Sequence, residues 1–166
     1  MTPKPLNKIQ DLCLKLFDLI GVDQNVANAC VSSVMHGTRF GVDSHGVRLI
    51  PHYIKVLETG RLNKNPSITF KNLKLSSGLL DGDHSQGALP TYMAMDYAIE
   101  MARKTGIAAV GITNSSHFGP AGAYTLHAAK KDMIALAFCN SDSFVRLYDG
   151  AERFHGTNPI SMAVPT

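Results

Sequence analysis

The sequence predicts an α/β protein: a helical N-terminal segment, residues 1–64, followed by a mixed sheet covered by helices, residues 65–166. Three observations carry this prediction. Apolar residues recur at helical spacing through the first third of the chain. Short continuous apolar runs then alternate with helical patterns. Between the two regions lies a turn cluster, Asn63 to Pro66.

Each element has its own justification. Leu6, Ile9, Leu12, Leu16 and Leu19 mark a first helix that Gly21 ends. Asp23 can cap a second helix, with Val26, Ala27, Cys30 and Val34 on one face. Gly37 and Gly41 flank Arg39 and Phe40, which predicts a turn before Asp43-Ser44-His45-Gly46-Val47-Arg48. A third helix runs to about Glu58 and stops at Gly60. Pro51 inside it would remove one backbone hydrogen bond, so this helix either starts late or kinks near Val47.

Beyond the boundary, Ser67 to Leu75 alternates like a half-buried strand, and Gly78 to Asp81 suggests another. Ala88, Tyr92, Met95, Ile99 and Ala102 form the apolar face of a helix, with Pro90 in its tolerant first turn. Asp96, Glu100, Arg103 and Lys104 lie away from that face. Ile107 to Ile112 and Met133 to Cys139 read as buried strands flanking a helix from Ala121 to Lys131. Such runs argue for βαβ units in a sheet covered on both faces.

Composition narrows the function. With 45% hydrophobic residues and a net charge of +3 spread along the chain, neither disorder nor a concentrated basic stripe is indicated. No run approaches the ~18 apolar residues of a membrane span, and the start lacks a secretory pattern. The expectation is a cytoplasmic protein with neither nucleic acid nor membrane as partner. Cys13, Cys30 and Cys139 lack metal-ligand spacing and read as buried reduced thiols. Glycine-rich dinucleotide, phosphate-loop, calcium-loop, zinc-protease and nucleophile-elbow motifs are missing from the sequence, and no metal is expected.

Three polar segments sit at the ends of regular elements. In the first, His45 and Arg48 would share a helical face. A guanidinium can hold a carboxylate bidentately while an imidazole exchanges a proton with a neighbouring carbonyl oxygen. The second, Asn114-Ser115-Ser116-His117-Phe118-Gly119-Pro120, follows an apolar strand, where ligands gather in open α/β sheets. The third is Gly156-Thr157-Asn158-Pro159. Each also has a structural reading: a surface pair after a turn, a polar loop with a helix cap, and good turn chemistry.

In this order and spacing the segments, together with Tyr53 and Asp81-Gly82 through Gly87, resemble the malate/L-lactate dehydrogenase family that lacks a Rossmann domain. That family also contains ureidoglycolate dehydrogenase, diketogulonate reductase, sulfolactate dehydrogenase and cyclic-ketimine reductases. The resemblance implies a homodimeric oxidoreductase that passes a hydride between NAD or NADP and a small 2-hydroxy or 2-oxo acid. It implies that His45 and His117 are the two active-site histidines, Arg48 the substrate-carboxylate residue and Tyr53 a substrate contact. Asn140 matches a polar position near the nicotinamide, and Thr157 and Asn158 line the same region. Helix geometry alone would place His52, rather than Tyr53, on the face of His45 and Arg48. Two departures stand out. Ser141 to Gly150 replaces a passage that is usually rich in Pro and Gly. The chain also matches only the N-terminal half of the family's length, so it is expected to be incomplete at its C-terminus. The alternative reading is a truncated, non-catalytic relative that serves as a structural or pairing subunit.

Overall fold

A computed structural model describes residues 5–166; the first four residues of the predicted helical segment lie outside them. Helix α1 (Leu6–Leu19) and helix α2 (Gln24–Arg39) open the chain. The Asp23 carboxylate accepts the N–H groups of Asn25 (2.9 Å) and Val26 (3.2 Å), so it caps α2 as expected. Helix α3 (Ile50–Glu58) starts late, which places Pro51 in a first turn whose N–H groups need no helical partner. Two short 3-10 turns, Asp43–His45 and Val47–Leu49, fill the gap and are separated by Gly46.

The first core forms among these helices, with Phe17, Cys30, Val34, Met35, Tyr53 and Leu57 almost fully buried. The predicted face of α1 is rotated. Cys13 and Phe17 point inward, helped by Ile9, Leu16 and Ile20, while Leu12 is 57% and Leu19 80% exposed. The bulky Phe17, one turn beyond Cys13, sets which side of α1 faces the core.

Strand β1 (Thr69–Lys74) pairs antiparallel with β2 (Ser77–Asp81), placing Thr69 opposite Asp81. Helix α4 (Ala88–Thr105) then crosses over to β3 (Ala109–Thr113), which runs parallel to β2 with Asp81 opposite Thr113. This is the expected βαβ unit, and it brings the carboxyl ends of β2 and β3 side by side. Helix α5 (Gly122–Ala129) leads to β4 (Ala135–Phe138), which pairs antiparallel with β7 (Ile160–Ala163). A small ribbon of β5 (Val145–Arg146) and β6 (Arg153–His155) lies between them in sequence.

Several expectations are corrected here. The mixed α/β class holds, with β1, β2 and β3 forming a mixed sheet, but among the described residues β4 with β7 and β5 with β6 form separate two-stranded sheets and the strands are not covered on both faces. In β4, Ala135 and Ala137 are buried, whereas Leu136 and Phe138 are exposed beside Met162 and Ile160. Helices cover only one side of these strands, so the apolar runs bury alternate residues. On β1 only Phe70 finds an aromatic partner, stacking on Tyr97 of α4 at 3.9 Å between ring centroids. Asp96 does not simply face away. Packing of α4 along α5 lets its carboxylate accept from His127 Nε2 at 2.8 Å and pair with Lys131. Cys13 and Cys30 are buried free thiols and Cys139 is half-buried. Among the described residues, no helix is long and apolar enough to cross a membrane.

Candidate active site

The site is assembled from three chain segments that meet beside the N-terminus of α4. Thr38, near the end of α2, organises the first. Its hydroxyl donates to the Val34 carbonyl at 3.0 Å and accepts the Val47 N–H at 3.0 Å. Gly46 lies so close that a Cβ there would sit 2.7 Å from the Thr38 hydroxyl oxygen. Gly37 likewise admits the His45 carbonyl group, whose carbon a Cβ would approach to 2.8 Å. These two glycines let the His45 turn press against α2.

The second segment is the loop after β3. Asn114 adopts a left-handed backbone (φ 47°), and its side-chain amide donates to Asp81 at 2.9 Å. Its carbonyl accepts the His84 N–H at 2.8 Å, which ties together the two adjacent strand ends. Further on, the Phe118 carbonyl accepts from the buried hydroxyls of Ser33 (3.1 Å) and Tyr124. Gly119 (φ 80°) is required there, because a Cβ would sit 2.6 Å from the Ser33 hydroxyl.

The third segment is α3, which carries Tyr53. Its hydroxyl lies 2.7 Å from His117 Nδ1, although 64 residues separate the two in sequence. The His45 and His117 rings stand 5.5 Å apart between centroids. His45, His117 and Tyr53 are therefore brought together. Tyr53, not His52, carries the contact, because the late start of α3 turns residue 53 inward and leaves residue 52 exposed. The helical pairing expected of His45 and Arg48 is absent, since Gly46 breaks the segment into two turns. Arg48 is exposed and forms no ion pair among the described residues.

The electrostatics favour a neutral imidazole at His117. Partial burial of the ring lowers its pKa, and the nearby His45 and His52 add to that effect. Burial pushes the Tyr53 hydroxyl upward, so it remains a phenol able to donate. His45 places Nδ1 3.0 Å from the Ser44 hydroxyl. In both histidines Nδ1 is engaged, and Nε2 has no hydrogen-bond partner among the described residues. Two imidazoles 5.5 Å apart between centroids, each with an open Nε2, suit proton exchange on a small substrate oxygen.

Asn140, Thr157 and Asn158 come together elsewhere, around Ser141. The Ser141 N–H donates to the Asn158 side chain at 3.0 Å, and the Thr157 N–H donates to the Ser141 hydroxyl at 3.0 Å. Asn158 takes a left-handed backbone (φ 42°) within this clasp. No hydrogen bond links this second cluster directly to the histidine pair among the described residues.

A family model for malate/L-lactate dehydrogenase matches residues 5–166. The chain belongs to the malate/L-lactate dehydrogenase family. It is 36% identical over 162 residues to a malate dehydrogenase of Pyrococcus abyssi, covering 98% of this chain and 45% of that protein. A malate/(S)-sulfolactate dehydrogenase of Methanothermus fervidus is 32% identical, with 95% of this chain and 46% of its own length covered. Among solved structures, the malate dehydrogenase of Pyrococcus horikoshii superposes with a TM-score of 0.94 at 34% identity. That match covers 99% of this chain and 47% of the other. The chain therefore spans about half the length of the relatives it matches.

Several residues that build this candidate site carry no signal in the sequence. Thr38, Ser33 and Tyr124 lie in helices whose patterns read only as core, and their hydroxyls act through distant loops. Gln86 falls inside the glycine-flanked segment the sequence singled out, but nothing in its spacing points to the His117 carbonyl.

Proposed function

We propose that this chain supplies the substrate-side half of an NAD(P)-dependent oxidoreductase acting on a small 2-hydroxy or 2-oxo acid. The observation that carries the reading is the His45–His117–Tyr53 cluster, with both Nε2 atoms open, in a member of this dehydrogenase family. Arg48, exposed and unpaired, would clamp the substrate carboxylate. His117 or His45 would give a proton from Nε2 to the carbonyl oxygen, or take one from the alcohol in the reverse direction.

The second cluster fits the carboxamide end of a nicotinamide. Asn140 offers an amide free of partners among the described residues, beside the hydroxyls of Ser141 and Thr157. Bound there, NADH or NADPH would supply the hydride. Asn140 would orient the carboxamide, while Thr157 and Asn158 hold the Ser141 loop in place. A cytoplasmic homodimer and a helical segment distinct from the α/β part complete the proposal.

The test is oxidation of NADH and NADPH by the protein of the full-length reading frame with pyruvate, oxaloacetate and cyclic ketimines. Turnover with at least one supports the reading; no turnover and no nicotinamide binding rejects it. A second reading, a non-catalytic pairing subunit, draws support from the exposed apolar face of β4 and β7. A micromolar nicotinamide dissociation constant for the 166-residue chain would exclude it.

A further inference from the structure

Tyr53 is 1% exposed, so its hydroxyl is shut off from solvent and its proton needs an acceptor inside the protein. Among the described residues that hydroxyl has one hydrogen-bond partner, His117 Nδ1 at 2.7 Å. A proton on Nδ1 would point at the phenolic oxygen and leave the phenol O–H buried with no acceptor. The opposite arrangement, O–H donating to the Nδ1 lone pair, satisfies both atoms. A neutral imidazole that accepts at Nδ1 carries its own proton on Nε2. The His117 main-chain oxygen accepts from Gln86 Nε2 (3.0 Å) and the Gly87 N–H (3.3 Å), which anchors the residue where its ring meets the phenol.

His45 is placed differently. Its Nδ1 lies 3.0 Å from the hydroxyl of Ser44, an exposed residue. A hydroxyl in contact with water donates or accepts, because water satisfies whichever half is unused. The contact therefore survives with Nδ1 protonated or bare. His45 can change its charge without stranding a buried group, whereas a second proton on His117 would strand the Tyr53 O–H.

We infer that the two histidines do different work: Tyr53 is a positioning residue that holds His117 as a neutral Nε2–H donor, and His45 carries the proton. The inference rests on the dehydrogenase reading above. In the reducing direction, hydride from NAD(P)H adds to the carbonyl carbon of the 2-oxo acid, and the C=O π pair moves to oxygen. That oxygen takes the Nε2 proton of a protonated His45, which is left neutral. His117 donates a hydrogen bond to the same oxygen and keeps its own proton, as a neutral imidazole that polarises a carbonyl does.

Long-range proton–nitrogen correlation of the imidazoles in the 166-residue chain near neutral pH reads the tautomer without substrate or cofactor. His117 is expected as Nε2–H, and an Nδ1–H signal there overturns the inference. In Tyr53→Phe the Nδ1–H share of His117 should rise at least about threefold, the scale of one neutral hydrogen bond. An unchanged share removes Tyr53 from the role. The division of work is read from kcat at saturating acid and NAD(P)H in the protein of the full-length reading frame. His117→Gln keeps a neutral N–H donor and should lose no more than about tenfold. His45→Gln should lose about 10²- to 10⁴-fold. Equal losses or the reverse order overturn the assignment. No NAD(P)H oxidation by the unaltered full-length protein would instead reject the dehydrogenase reading and the division of work with it, while the tautomer stands or falls on the spectra.

Discussion

Arg48 and His117 differ in how the fold treats their charge. Arg48 stays in water on a short 3-10 turn, and its value lies in what it can still bind. Arg48→Ala should therefore leave stability almost unchanged, raise KM for the acid and lower kcat. A loss of about 10- to 100-fold in kcat/KM is the scale of a charge-assisted bidentate contact. Steady-state kinetics with a responsive 2-oxo acid checks this, and unchanged constants would take Arg48 out of the site. His117 is held neutral instead, its pKa lowered by ring burial and by the neighbouring His45 and His52. Because the folded-state pKa lies below the ordinary value of 6.5, the unfolded chain binds the proton more readily. The associated stability is fully present above about pH 6.5 and falls as the pH drops toward the folded pKa. Urea midpoints measured across this range should fall less steeply in His117→Gln than in the unaltered chain.

At the scale of elements, the site depends on how closely the turn after α2 can approach that helix. Gly37→Ala would push a methyl group against the His45 carbonyl, which is fixed by the turns on either side of Gly46. A cost of ~1–3 kcal/mol is expected for such overpacking, together with reduced turnover as His45 moves. Urea denaturation and activity measured on the same variant would show both effects. The elements themselves were largely legible in the sequence. The Asp23 cap and the βαβ unit follow from local chemistry, and of the two outcomes Pro51 left open, a late start or a kink, the structure takes the first. Side-chain direction was less legible. Whether Leu12 or Cys13 of α1 faces inward, and whether His52 or Tyr53 reaches His117, depends on packing between segments far apart in sequence. Burial of β4 was misread for the same reason: an apolar run does not reveal how many of its faces a neighbouring layer covers.

At the scale of the whole molecule, the family's motif order was legible, while the meeting of its parts was not. Tyr53 and His117 lie on different elements, and only the assembled α2, α3 and α4 bring their hydroxyl and imidazole together. The molecule also presents Leu136, Phe138, Ile160 and Met162 on one exposed sheet face. Contiguous apolar surface of this kind binds hydrophobic probes. The 166-residue chain should enhance the fluorescence of anilinonaphthalene sulfonate while keeping native helicity by circular dichroism. A Phe138→Ser, Met162→Ser double variant should reduce that signal, and unaltered dye binding would show that another surface is responsible. The central claim, that the clustered histidines handle the substrate proton, is tested most directly by kcat at saturating acid and NAD(P)H in His45→Ala and His117→Ala. At least one variant should lose about 10²- to 10⁴-fold, the range for a positioned general acid–base group. Turnover preserved in both variants would contradict the account.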